Sequence, residues 1–232
     1  MPLRALLDKE PFLAWELTEK HRGSPFKCPI CDDDMIIVLP QSGIIKHFRH
    51  VNEEAHGEPE TSEHLEMKNF IYNLLLCTEL EKKIGHRIAD VVEGDQLVIE
   101  CQCSPISQCE MREREEDYNE CGYHVLWVFG GKYYQNTTKR ELWYRGGNAY
   151  YIQKIGAPER YLLDNESQLL IYYHNEHFYL GSFKFRKAGW YNECKTLGWY
   201  QLRRYNSEYF ERWVQKNLYG RSWWNYDGVE DN

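Results

Sequence analysis

The stretch RIADVVEGDQLVIECQCS, residues 87–104, decides the fold because two apolar runs flank a turn signal at Gly94. Apolar residues on both sides of a short glycine-containing turn are typical of a β-hairpin. Each arm also carries an acid, Asp90 on the first and Glu100 on the second, and Gln102 follows. Carboxylates on strands that look buried are costly unless something compensates them. The hairpin therefore predicts both a sheet and a functional site.

The length of the turn decides which polar residues meet. Side chains alternate between the faces of a strand, so Glu100 and Gln102 share one face. A two-residue loop would pair Asp90 with Ile99 and separate the two carboxylates. A three-residue loop pairs Asp90 with Glu100 and keeps the apolar residues on the other face, so we favour it.

Two adjacent carboxylates repel each other and raise each other's pKa unless a cation lies between them. Mg²⁺ or Mn²⁺ suits oxygen ligands, and such an ion can support phosphodiester hydrolysis. Asp90 and Glu100 are therefore candidate metal ligands of a nuclease. The alternative is that Asp90 ends a strand at the surface and Glu100 forms an ordinary ion pair, for example with Arg87. The spacing of the two acids leaves both interpretations open.

The elements around the hairpin favour an α/β sandwich, in the order helix, hairpin, helix, strand. Ser62 is predicted to cap the first helix, which is expected to run to about Lys83. The second helix is predicted to begin at the capping box formed by Ser107 and Glu110 and to end at Gly122. The run YHVLWVF, residues 123–129, then predicts a buried strand.

A candidate zinc knuckle precedes these elements. Cys28 and Cys31 form a CxxC motif, and His47 and His50 follow as an HxxH pair. Two thiolates and two imidazoles suit tetrahedral, structural Zn²⁺, although the two histidines are closer in sequence than is usual. His56 is a substitute ligand, and the alternative is two free thiols with surface histidines.

Composition changes near residue 132. Of the 18 tyrosines, 15 lie beyond Gly131, and the formal charge of −8 is carried by the residues before this point. We expect an N-terminal segment with the zinc knuckle at 1–51, a nuclease core at 52–131 and an aromatic-rich, mostly-β domain at 132–232. No apolar run reaches the about 18–20 residues of a membrane-spanning helix. With no signal-peptide pattern, we expect a cytoplasmic protein with reduced cysteines and no membrane partner.

The C-terminal region interleaves aromatic and basic residues, as in FKFRKAGWYNECKTLGWYQLRRY at 183–205. Such residues can stack on bases and neutralise phosphates. They suit equally a β-domain core or an interface between two copies of the chain, which would make a homodimer. The run SEYFERWVQKNLYG, residues 207–220, predicts a short helix.

The sequence resembles a known family. RIADVVEGDQLVIECQCSPIS at 87–107, the E-x3-R-x3-Y pattern at 110–118 and the strand VLWVF resemble the nuclease core of competence protein CoiA-like proteins. SEHLEMKNFIYNLL at 62–75 resembles the first helix of that family, and CPIC followed by KHFRH resembles its zinc-binding segment. The resemblance covers about residues 26–129 and implies a PD-(D/E)xK, restriction-endonuclease-like core that acts on DNA.

The resemblance also implies roles for particular residues. Asp90 and Glu100 would bind Mg²⁺ or Mn²⁺, and Gln102 occupies the position of the superfamily's lysine. Glutamine can orient water or a phosphate oxygen, but it cannot supply positive charge. Glu63 is the candidate for a third acidic residue, and Glu66 is its competitor.

Five further residues are candidates for substrate contact or support. His64 and Lys68 are i, i+4 neighbours on the first helix, Arg114 and Tyr118 share a face of the second, and Arg87 begins the hairpin. A solvated helix face is the alternative for each helical residue.

The leading hypothesis is a metal-dependent DNA nuclease in DNA uptake, recombination, repair or defence. The rival hypothesis is a catalytically idle zinc-knuckle protein that binds nucleic acid or serves as a scaffold, and Gln102 keeps it open.

Overall fold

The computed structural model describes residues 2–40, 45–52, 60–75, 78–130, 133, 138–144, 147–154, 158, 161–162, 170–174, 177–186 and 197–205. The chain divides into two compact units, residues 1–101 and 102–232. Among the described residues, both consist mostly of strands, and a 13-residue α-helix lies in each. The fold is therefore mixed α/β, as the sequence predicts.

An antiparallel sheet forms the start of the first unit. Its strands are β1 (Arg4–Leu7), β2 (Glu10–Leu13), β3 (Phe26–Lys27), β4 (Asp34–Val38) and β5 (His47–His50), in the order β2-β1-β3-β4-β5. Short 3-10 helices occupy Ala14–Glu16 and Glu19–His21. Phe26 and Phe48 are buried and their rings lie 5.0 Å apart, so apolar packing joins the two sides of the CxxC segment.

Helix α1 spans Ser62–Leu74, and the side-chain oxygen of Thr61 accepts a hydrogen bond from the N–H of His64. The predicted continuation to Lys83 is wrong. Residues 78–84 form strand β6 (Thr78–Ile84), which pairs with the next strand along its length. Glu, Leu and Lys are good helix formers, but the helix propensity of each residue is a small free-energy term, and strand pairing outweighs it here.

Strands β6, β7 (Arg87–Glu93) and β8 (Leu97–Gln102) form an antiparallel meander. Val91 pairs with Ile99, so the turn between β7 and β8 contains three residues, as predicted. Gly94 begins that turn with φ +57°, a conformation that favours glycine. Asp90 and Glu100 are the next residues along their strands after the Val91–Ile99 pair, so the register places them opposite each other.

Helix α1 packs against β6 and β7. Leu65, Met67 and Ile71 supply its fully buried apolar side chains, while Val91 and Ile99 supply fully buried side chains from the meander. This apolar contact fixes the helix beside the strands that carry the acids, because each buried aliphatic side chain contributes about 1.5–3 kcal/mol.

The second unit contains helix α2 (Gln108–Glu120) and strand β9 (His124–Phe129). The Ser107 side chain caps α2 by accepting the N–H of Glu110, and Gly122 follows the helix with φ +86°. These two signals and the strand agree with the sequence prediction.

Five more strands follow: β10 (Thr138–Tyr144), β11 (Gly147–Lys154), β12 (Leu170–His174), β13 (His177–Arg186) and β14 (Leu197–Tyr205). Within this unit they lie in the order β10-β11-β14-β13-β12-β9. Strand β12 pairs in parallel with β9, so the sheet continues across the composition change near residue 132. The helix predicted at 207–220 lies outside the described residues.

Within the described part of the chain, neither helix is long and apolar enough to cross a membrane.

Candidate metal centre

Asp90 lies at the centre of a polar cluster in the first unit. Its Oδ2 atom accepts the Cys101 backbone N–H at 2.9 Å and lies 3.1 Å from His64 Nε2. Its Oδ1 atom lies 3.7 Å from Lys68 Nζ. The bond to Cys101 ties the Asp90 side chain to the backbone of the neighbouring strand, which fixes the direction of the carboxylate.

The electrostatics of the cluster favour charged forms of these groups. Burial alone would raise the pKa of Asp90, but the charge and hydrogen bond of His64, followed by the charge of Lys68, hold it well below its usual range. Burial lowers the pKa of His64, and the opposing effect of Asp90 is larger, so the net shift is upward. Asp90 and His64 therefore stabilise each other as an ion pair.

Glu60 completes a group of three side chains that can hold a metal ion. One ligand atom each from Glu60, His64 and Asp90 lies within 4.8 Å of the others. Glu60 and His64 are four residues apart, and their carboxylate and Nδ1 atoms are 3.3 Å apart. Asp90 reaches the same point from β7, which packs against helix α1.

Lys68 continues the same four-residue spacing one turn further along α1. It is 1% exposed, and its Nζ atom lies 2.6 Å from Glu60 Oε1 and 2.7 Å from Glu81 Oε1. Burial lowers the pKa of Lys68, but Glu81, Glu60 and Asp90 raise it well above its ordinary value. Lys68 is thus a buried cation shared by three carboxylates.

The donor set fits a divalent metal ion. Two carboxylates suit Mg²⁺ or Mn²⁺, and the imidazole of His64 favours the softer of the two, Mn²⁺. The side chains of Glu60, His64 and Asp90 are 15–17% exposed, so the group is open to an ion and yet not fully hydrated. Lys68 offsets part of the negative charge of this group and therefore weakens its attraction for a cation.

The predicted acidic residues lie in different places. Glu100 is 1% exposed on β8 and is not part of the three-residue group. Glu63 is half-buried and Glu66 is exposed on α1, and neither belongs to the group. Glu60, the third member of the group, was not among the predicted site residues. Its spacing of four from His64 and eight from Lys68 is the signal that points to it.

Gln102, at the end of β8, makes contacts within the second unit. Its Nε2 atom donates to the Ser104 carbonyl oxygen at 2.5 Å, and the Tyr133 hydroxyl donates to the same oxygen at 2.9 Å. The amide donor of Gln102 is therefore bound to the segment before α2. The Oε1 atom can accept a hydrogen bond from water, whereas contact with a phosphate oxygen would need the second N–H of the amide.

The three remaining candidates, Tyr118, Arg114 and Arg87, lie in the helix and strand positions that the sequence predicts for them. Tyr118 is fully buried on α2, and Arg114 bonds to Glu110 on the same helix at 3.0 Å. Arg87 is half-buried at the first position of β7.

Three of the four predicted zinc ligands come together. Atoms of Cys28, Cys31 and His50 lie within 4.8 Å of one another, and the Cys31 Sγ to His50 Nε2 distance is 3.6 Å. His47 is not in this group: it is buried, and its Nδ1 atom lies 3.0 Å from the Ile45 carbonyl oxygen. His47 and His50 are three residues apart on β5 and so point to opposite faces of the strand. His56 lies outside the described residues.

Comparison with known proteins gives one match. The family model described as "Competence protein CoiA, nuclease-like domain" matches residues 60–202, more than half of the chain. No curated protein and no solved structure matches the chain. The matched range contains the cluster of Glu60, His64, Lys68 and Asp90 and extends beyond the composition change near residue 132. The chain therefore belongs to the family of the competence protein CoiA nuclease-like domain.

Proposed function

We propose that the protein is a divalent-metal-dependent nuclease that hydrolyses phosphodiester bonds in DNA and leaves 5′-phosphate and 3′-hydroxyl ends. The observation that carries this proposal is the Glu60, His64 and Asp90 group within a nuclease-like domain. A metal ion bound there would supply Lewis acidity toward a phosphate oxygen and activate water. DNA uptake and recombination are the proposed settings, because the family is named for a competence protein.

Each acidic residue has a proposed role in this site. Asp90 and Glu60 would bind the ion through their carboxylates, and His64 would bind it through a neutral imidazole. Glu100 remains the proposed partner of Asp90, because the register of β7 and β8 aligns the two residues. Glu63 remains a proposed contributor through water. Gln102 would orient the attacking water through Oε1.

The second metal proposal is structural Zn²⁺ at Cys28, Cys31 and His50. Two cysteine sulfurs and an imidazole are typical ligands of structural zinc. Burial raises the pKa of the Cys28 thiol, and a bound zinc ion would oppose that shift by stabilising the thiolate. Zinc here would hold the β3–β4 turn to β5 and would take no part in hydrolysis.

The test of the nuclease proposal is cleavage of labelled single-stranded, duplex and branched DNA with Mg²⁺ or Mn²⁺. Wild type is compared with Asp90→Asn and Glu100→Gln, and Glu66→Gln is the control because Glu66 is exposed on the same helix as His64. We expect cleavage by wild type and the control, and loss of about 100-fold or more in Asp90→Asn. Equal cleavage by wild type and Asp90→Asn would contradict the proposal.

A second candidate function is a catalytically idle protein that binds nucleic acid. The observation in its favour is that Asp90 already has partners in His64, Lys68 and Cys101, so the cluster is stable without an ion. DNA binding that is unchanged by EDTA, with no cleavage of any substrate, would support this function.

A further inference from the structure

Glu81 has an unusual backbone for a residue inside a strand. Its φ is +52°, in the left-handed region that non-glycine residues seldom adopt. The pairs on either side, Leu80 with Val91 and Lys82 with Ala89, place Glu81 across from Asp90. Backbone strain of this kind persists only where the surroundings hold the residue, and it is often found at functional sites.

The side chain of Glu81 is held from two directions. The Leu3 N–H donates to Oε1 at 2.9 Å and to Oε2 at 3.1 Å, and the Arg4 N–H donates to Oε2 at 3.3 Å. From helix α1, Lys68 donates to Oε1 at 2.7 Å. Glu81 is 8% exposed, so the beginning of β1 and the middle of α1 meet on one buried carboxylate.

Lys68 connects this carboxylate to the candidate metal group. The same Nζ atom that binds Glu81 lies 2.6 Å from Glu60 and 3.7 Å from Asp90. Of the three carboxylates that contact Lys68 among the described residues, Glu81 lies outside the metal group. If Glu81 lost its charge, the ammonium group would be held by Glu60 and Asp90 alone. It would then exchange faster with water, and it would compete with a metal ion for these two ligands.

We propose that Glu81 is a positioning residue that holds the Lys68 ammonium group beside Glu60 and Asp90, and that the Leu3 and Arg4 amides fix Glu81 for this task. Leu3 and Arg4, which precede the family match at residue 60, would then contribute to the site. The position of Lys68 stands on contacts in this chain, and only its effect on cleavage rests on the proposed function.

The first test uses the full chain with Glu81→Gln. Glu79→Gln is the matched control, because Glu79 lies two residues away on β6, its side chain is 48% exposed, and its change removes the same charge. Nitrogen-15 labelling of lysine would give the Lys68 ammonium signal, assigned by its loss in Lys68→Arg. Since three carboxylates hold this group in a buried position, we expect a slowly exchanging signal in wild type and in Glu79→Gln, and its loss in Glu81→Gln.

Manganese affinity and cleavage kinetics complete the comparison. We expect Glu81→Gln to bind Mn²⁺ about tenfold more weakly and to lower kcat with little change in KM, because partners behind metal ligands have effects of this size. Glu81→Asp keeps the charge and is expected to recover the ammonium signal. A folded Glu81→Gln variant with an unchanged Lys68 signal and unchanged Mn²⁺ affinity would overturn the proposal.

Hydrogen exchange in wild type needs no variant to fold. The Leu3 and Arg4 amides donate to the buried Glu81 carboxylate, so we expect both to exchange slowly. Rapid exchange of both amides would overturn the proposal. If wild type fails to cut DNA while the Lys68 signal is lost only in Glu81→Gln, the nuclease proposal fails and the role of Glu81 stands.

Discussion

His64 Nε2 lies 3.1 Å from Asp90 Oδ2, and both side chains belong to the three-residue group that can hold a metal ion. A metal ion bound to the imidazole would replace the proton on that nitrogen. The His64–Asp90 ion pair therefore stabilises the metal-free cluster and opposes metal binding. Asp90 takes part in both states, as the partner of His64 without metal and as a ligand with it.

The first prediction concerns metal binding. We expect one Mn²⁺ per chain at the Glu60, His64 and Asp90 group, bound more tightly than Mg²⁺ because an imidazole is one of the ligands. Asp90→Asn and Glu60→Gln should each weaken Mn²⁺ binding by about tenfold or more, as removal of a charged ligand does. Isothermal titration calorimetry in zinc-saturated protein measures this directly.

The control separates the observed group from its neighbours on the same helix. Glu66→Gln should leave Mn²⁺ affinity within about twofold of wild type, because an exposed charge contributes little. Weaker binding in Glu63→Gln than in Glu60→Gln would show that the ion lies elsewhere.

The second prediction concerns pH in the metal-free protein. Because His64 lowers the pKa of Asp90 and Asp90 raises that of His64, the pair contributes most between the ordinary pKa values of the two side chains, about 3.9 and about 6.5. Its contribution is lost as pH rises through the folded-state pKa of His64, and as pH falls through that of Asp90. NMR titration with EDTA present should give a His64 pKa above the ordinary value.

Asp90→Asn removes the charge that causes this shift. The His64 pKa should then fall below its wild-type value, since burial alone lowers it. An unchanged His64 titration in Asp90→Asn would contradict the pairing.

Strand periodicity is what made the hairpin predictable. One register alone sorts its polar and apolar residues, so the three-residue turn followed from the alternation around Asp90 and Glu100. His64 and Lys68 could be placed on one helix face by their spacing. Glu60 shares this four-residue spacing, but it precedes the helix cap at Thr61, where helix periodicity is not expected to continue.

The end of helix α1 and the burial of Lys68 were decided by tertiary contacts. The run TELEKKI contains helix-favouring residues, yet pairing with β7 makes it a strand. A lysine on an amphipathic helix is expected to be exposed to solvent. Lys68 is buried because Glu60, Glu81 and Asp90 converge on its ammonium group and offset the cost of removing its charge from water. Local sequence does not contain that information, because Glu81 and Asp90 come from different strands.

The third prediction concerns zinc. We expect one Zn²⁺ per chain, lost in Cys31→Ser and in His50→Ala but retained in His47→Ala, because His47 points to the other face of β5. Zinc content by mass spectrometry of the native protein tests this. Cys109→Ser is the control, since Cys109 is exposed on α2. If His47→Ala folds normally but loses zinc, His47 is a ligand together with Cys28, Cys31 and His50.

The fourth prediction concerns Gln102. Its Nε2 atom donates to the Ser104 carbonyl oxygen in a partly buried contact, so Gln102→Glu replaces a donor by an acceptor against that oxygen. The Tyr133 hydroxyl still donates to that oxygen, so the substitution removes one hydrogen bond. Such a bond contributes about 0.5–1.5 kcal/mol, and the free energy of unfolding should fall by that amount. Urea denaturation measures it, with Gln108→Glu as the control because Gln108 is exposed at the first position of α2.

Cleavage by Gln102→Ala separates support of the fold from action on water. If Gln102 mainly holds the segment before α2, the rate should fall in proportion to the fraction of protein unfolded, and low temperature should restore it. If its Oε1 atom orients the attacking water, kcat should fall by about 10²-fold in fully folded protein, as loss of a positioning group does. Temperature-dependent rates measured beside unfolding curves distinguish these outcomes. Because the Ser104 bond holds the amide through Nε2 and the proposed contact with water uses Oε1, we expect the second outcome.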